Sequence, residues 1–148
     1  MNKTMLFTIF LLLLFSCERD SGSLDPYFTE SGLGYGHFTF GDTVTLPWHC
    51  CLNDPENQMY ICLDSVMSDS RCPKGVECFW AGNAGARFRF GKINGQHVLF
   101  ELNTNLQFRN DTILSGYKFT LVELSPYPDI RHQTKQKDYK ASLLIVKE

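Results

Sequence analysis

The chain has 148 residues, a formal net charge of −2 and a charged fraction of 20%. That length accommodates one domain around one core and is short for two. The near-neutral balance argues against a nucleic-acid partner, which needs Lys and Arg concentrated on one face. Lys135, Lys137 and Lys140 do cluster, but Asp138 interrupts them, as in a solvated loop.

The amino terminus reads as an export signal. Met1 to Thr4 is polar with one positive charge, Lys3, and Met5 to Phe15 is almost wholly apolar. That run is too short for a bilayer-spanning helix and suits a secretory h-region. It ends in Leu14-Phe15-Ser16-Cys17, which resembles a bacterial lipobox. The resemblance implies that residues 1–16 are a lipoprotein signal peptide and that Cys17 receives a diacylglyceryl group. The expected partner is then a membrane, reached through an N-terminal lipid, and the expected location is the bacterial cell envelope at the outer membrane. Loss of Lys3 leaves 13 basic and 16 acidic residues, a net charge of −3.

Residues 17–34 are polar, with Ser, Gly and one Pro, and are expected to tether lipid to domain. Gly32, Gly34 and Gly36 spell GxGxG, but neither the preceding strand nor the following helix of a phosphate loop is visible. From residue 35 to 148, strand signals recur at short spacing. His37–Phe40 is the first. Thr43–Leu52 alternates, with Val44, Leu46, Trp48, Cys50 and Leu52 on one face. A turn at Asn53–Asn57 leads to a return strand, Met59–Val66, with Ile61 and Leu63 inward. Ala86–Phe90 and His97–Leu102 flank Asn94-Gly95, a hairpin signal. Gly116–Leu124 is ended by Pro126 and Pro128, and Ala141–Lys147 closes the chain. Seven or eight short strands with tight turns and no helix predict an all-β fold, an antiparallel two-sheet β-sandwich; a closed β-barrel is the alternative. The expected core is Val44, Leu46, Trp48, Ile61, Leu63, Phe88, Phe90, Leu121 and Leu143 to Ile145.

The most distinctive stretch is Asp69 to Gly82, DSRCPKGVECFWAG. In an oxidising compartment, Cys72 and Cys78 can close a small loop stiffened by Pro73, with Lys74-Gly75 at its tip and Trp80 near the bridge. Asp69, Arg71 and Glu77 are expected to anchor the loop as a charge-assisted hydrogen-bond cluster. The alternative is a presented binding loop of Arg71, Lys74, Glu77 and Trp80, inhibitor-like with Lys74 at its tip. The stretch resembles a DSRCPxxxxCxWAG signature found in small exported bacterial lipoproteins of the Bacteroidota type. Gly116-Tyr117 and Leu121 to Pro128 resemble the same family's closing segment, and Phe79 stands where an aliphatic residue is more usual. The resemblance covers roughly residues 40–147. It implies a fold and an export route, and no activity.

Assigning Cys17 to lipid leaves Cys50, Cys51 and Cys62 as an odd set. Cys51–Cys62 on facing strands, with Cys50 as a buried thiol, and Cys50–Cys62 are both open; without the lipid, six cysteines pair completely. His49, Cys50 and Cys62 offer soft metal ligands, but no ligand spacing supports a site, so neither metal nor cofactor is expected. Asp42-Thr43-Val44, Asp64-Ser65-Val66 and Asp111-Thr112-Ile113 resemble O-glycosylation acceptors of exported Bacteroidota proteins, at Thr43, Ser65 and Thr112. The same triplet also arises where a turn opens a strand. No nucleophile elbow, Cys/His pair or carboxylate pair stands out, so no catalytic residue is nominated. The expected function is a lipid-anchored, non-catalytic accessory or binding module with a protein or glycan partner. The rivals are a metal-handling protein or small enzyme using His49, Cys50 and Cys62, and a protease-inhibitor-like module.

Overall fold

The computed structural model describes residues 36–148. The signal, Cys17 and the tether lie outside these residues. Eight strands follow in order: β1 (Thr43–Pro47), β2 (Cys51–Asp54), β3 (Met59–Asp69), β4 (Ala84–Lys92), β5 (His97–Asn103), β6 (Asp111–Leu114), β7 (Tyr117–Ser125) and β8 (Lys140–Lys147). They form two four-stranded antiparallel sheets, β2-β3-β4-β5 and β1-β8-β7-β6, and neither closes into a barrel. A short 3-10 helix, Gln136–Asp138, precedes β8. Among the described residues no helix is long and apolar enough to cross a membrane.

The long alternating run Thr43–Leu52 is not one strand. Pro47 ends β1, the Cys50 amide donates to the Pro47 carbonyl at 3.0 Å, and His49 turns the chain at φ 59°. The chain thereby leaves one sheet and re-enters the other as β2. Pro47 is tolerated because β1 is an edge strand. Leu46 is fully buried, whereas Val44, Trp48 and Leu52 are half-buried against the core. His37 makes one bridge, to Asn53, and His37–Phe40 is not a strand of either sheet. Strand β6 was not expected. It leads into β7 through Leu114-Ser115-Gly116-Tyr117, where Ser115 and Gly116 both take positive φ, the requirement of a tight two-residue hairpin.

The core is aromatic across the two sheets. Phe119 of β7 meets Phe90 at 4.7 Å and Phe100 at 5.2 Å between ring centroids, and Phe88 stacks on Phe100 at 5.5 Å. These rings sit edge-on or offset, the favoured geometry. Ile61, Leu63, Leu102, Leu143 and Ile145 fill the remainder and are fully buried. The β7–β8 connection also clasps the other sheet. Gln136 donates to the Val66 carbonyl at 2.6 Å and accepts from its amide at 3.0 Å, beside the bulge of β3. A side-chain amide there supplies what a neighbouring strand would otherwise give.

Candidate functional site

Beyond β3 and β4 the hairpin continues irregularly into the stapled loop. The Ser70 amide donates to the Asn83 carbonyl at 2.7 Å and the Cys72 amide to that of Ala81 at 3.0 Å. Ser70 Oγ also donates to the Asn83 carbonyl at 2.9 Å and accepts from its amide at 3.2 Å. The two chains approach so closely at Gly82 that a Cβ there would lie 1.8 Å from the Ser70 carbonyl oxygen, and φ is +73°. Only glycine satisfies both conditions. The Cys72–Cys78 disulfide closes the tip, with Cα atoms 5.9 Å apart.

Arg71 anchors this loop from inside. It is 7% exposed. Its guanidinium grips Asp69 through Nε–Oδ1 at 2.9 Å and Nη2–Oδ2 at 2.7 Å, and donates to the carbonyls of Leu124 and Pro126. It also lies 5.0 Å from the centre of the Tyr127 ring. Burial pushes the Asp69 carboxyl up, but hydrogen bonds from Arg71 and Tyr139 and the Arg71 charge outweigh it, so Asp69 sits below the usual carboxylate range. Burial and the bond to Asp69 push Tyr139 up to about 12. Arg71 is therefore a structural clamp and not a presented contact residue. Glu77 belongs to no such cluster and stands exposed at the tip.

Two further loops join this one at the same end of the sandwich. The Lys74 amide donates to the Pro128 carbonyl at 2.9 Å, which zips the 126–132 loop to the staple. On the other side Asn105 Nδ2 donates to the Gly82 carbonyl and its amide donates to Asn83 Oδ1, both at 3.1 Å. The pole built this way carries exposed apolar tips: Phe79 is fully exposed, Leu106 79%, Trp80 65% and Ile130 64%. Trp80, expected near the bridge, is largely exposed. Phe79 and Leu106 were missed as site residues. The signal for Phe79 was present, since an aromatic directly before Trp80 in a disulfide loop has no core position left to fill. Lys74 is exposed at the tip, as expected.

Cys51 and Cys62 face each other across β2 and β3 and are bonded, with Cα atoms 4.1 Å apart. Cys50 is buried and is not a thiol: it is disulfide-bonded as well. The soft-metal alternative of His49, Cys50 and Cys62 loses its thiolates, since both cysteines are in disulfides. His49 is exposed, its ring 3.8 Å from that of Trp48. No group of three or more potential ligands converges among the described residues. Of the three triplets, Thr43 is exposed on edge strand β1, while Ser65 and Thr112 are half-buried on β3 and β6. Ser65 Oγ donates to Asp64 Oδ2 at 3.3 Å.

An open cleft of about 710 Å³ lies at the opposite pole, lined by Met59, Phe90, Lys92, Val98 and Tyr117 among others. No protein-family model matches the chain, and neither the comparison with curated proteins nor that with solved structures finds a match.

Proposed function

We propose that this protein is a lipid-anchored, non-catalytic binding module of the bacterial envelope, and that it contacts its partner through the pole formed by the stapled loop and its two neighbours. The observation that carries this reading is the contrast between how firmly the pole is held and what it holds out. A disulfide, a buried arginine clamp and an obligatory glycine fix three loops whose tips are Phe79, Trp80, Leu106 and Ile130. Rigidly held, exposed aromatic residues on loops are the usual makings of a contact surface, because little entropy is lost when they dock. The disulfides suit an oxidising compartment, in keeping with the signal-like amino terminus.

A photoreactive residue at position 79 of the full chain tests this reading in intact cells. Discrete adducts are expected from position 79 and not from position 115, an exposed site at the opposite pole. Adducts from neither position, or equally from both, would refute a dedicated contact pole.

A further inference from the structure

We infer that what the three-loop pole meets is an anionic lipid bilayer surface. The inference rests on the preceding reading of the pole as the contact face and names the class of ligand. Its first support is shape. The apolar tips belong to three separate loops, and Phe79 stands fully exposed rather than lining a groove. A protein partner would need a pocket matched to each projecting side chain, whereas a fluid interface accepts them together. Phe, Trp, Leu and Ile are also the residues that partition into the headgroup and acyl boundary.

The second support is charge. Arg71 is committed to Asp69, and Asp129 to Arg131 at 2.6 Å. What remains in the loops 70–83, 104–110 and 126–139 is Lys74, Arg109, Lys135 and Lys137 against Glu77 and Asp138. All four cations are exposed. Outside these loops, with Asp69 already counted against Arg71, the described domain carries six basic and eight acidic residues, so the molecule is polarised with its positive end at the apolar tips. Cations around exposed aromatics are complementary to acidic headgroups, and the attraction is lost within a Debye length.

The third support is rigidity. The tips are set in place before any docking, by Cys72–Cys78, by the Arg71 clamp and by the hydrogen bonds of Lys74 and Asn105 to neighbouring loops. The described chain begins at the other pole, where the Asn53 amide donates to the Gly36 carbonyl at 3.1 Å beside the β2–β3 turn.

The test is vesicle flotation of the full chain with Cys17→Ser, which removes any acyl anchor. A Cys17→Ser/Cys50→Ser companion serves if the single variant forms intermolecular disulfides. Vesicles containing phosphatidylglycerol should bind the protein at low salt, with a blue shift of Trp80 emission, and pure phosphatidylcholine vesicles should bind it at least about tenfold more weakly. Phe79→Ser/Trp80→Ser should lower binding about tenfold with the melting temperature unchanged, because both side chains are exposed. Lys135→Glu/Lys137→Glu should weaken binding at low salt and little at high salt. Equal binding to both vesicle types, no binding to either, or binding indifferent to the Phe79 and Trp80 changes would overturn the inference. Protein adducts from position 79 alongside failed flotation would leave the contact pole standing and assign it a protein partner.

Discussion

The sharpest prediction concerns Arg71. Its guanidinium makes two bonds to Asp69 and two to main-chain carbonyls, at 7% exposure, and the Asp69 side chain is 9% exposed. Arg71→Ala would leave a buried carboxylate with Tyr139 as its remaining side-chain donor, and would strip the side-chain donor from the Leu124 and Pro126 carbonyls. Removing one partner of a buried pair costs about 3–5 kcal/mol, far more than the pair's net worth, because the uncompensated charge stays behind. At about 4 °C per kcal/mol for a domain near this size, the melting temperature should fall by about 12–20 °C. Arg131 supplies the contrast. It forms the same fork on Asp129, with Nη2–Oδ2 at 2.6 Å, but lies in the open. Arg131→Ala should leave the midpoint essentially where it was, since solvent screens the pair. Thermal and urea unfolding of the two variants give the comparison. The double variant Asp69→Asn/Arg71→Met should recover part of the loss, with a coupling of about 2 kcal/mol. If Arg71→Ala costs under about 1 kcal/mol, or no more than Arg131→Ala, the clamp does not hold the loop and the reasoning fails.

Other expectations follow from the same geometry. Gly82→Ala should destabilise by well over about 1 kcal/mol, read by denaturant midpoint, because neither φ nor space admits a Cβ. Cys72→Ser should cost about 2 kcal/mol in the chain-entropy model while the two sheets persist by circular dichroism. In acid, Asp69 contributes stability that is present above the ordinary carboxylate pKa of about 3.9 and lost as pH falls through its lower folded value. In alkali the sign reverses for Tyr139: its contribution is intact below about pH 10 and lost as pH rises through about 12, so Tyr139→Phe should flatten that limb of the stability curve. EDTA should leave the thermal transition unmoved; a fall restored by zinc or copper would revive the metal reading.

Much of this architecture was legible because two physical signals are strong over short range. Alternation at Met59–Val66, Ala86–Phe90 and Ala141–Lys147 placed Ile61, Leu63, Phe88, Phe90, Leu143 and Ile145 in the core, where they are buried. Facing positions on a hairpin brought Cys51 to Cys62. The failures were places where local pattern is blind. Alternation cannot tell one strand from two strands in different sheets, so Thr43–Leu52 concealed the turn at His49. Ser115-Gly116 is a weaker hairpin signal than Asn94-Gly95, and β6 went with it. Phe100 and Phe119 were missed because they bury each other across the two sheets; Phe38 and Leu124, also missed, are buried as well. At the site, the residue types of the stapled loop were visible, but their roles sorted by direction: Arg71 points in, and Phe79 and Trp80 point out. Neither direction is encoded in spacing once the strand has ended.

The fate of the Cys17 sulfur tests the anchored, exported module most directly. A peptide map of the mature protein under non-reducing conditions, with the mass of its amino-terminal peptide, reads it in one measurement. The account predicts cleavage before Cys17 and a diacylglyceryl thioether on that residue, beside the Cys51–Cys62 and Cys72–Cys78 bridges. An unmodified Cys17, cleavage elsewhere, or a peptide linking Cys17 to Cys50 by a disulfide would contradict the lipid anchor.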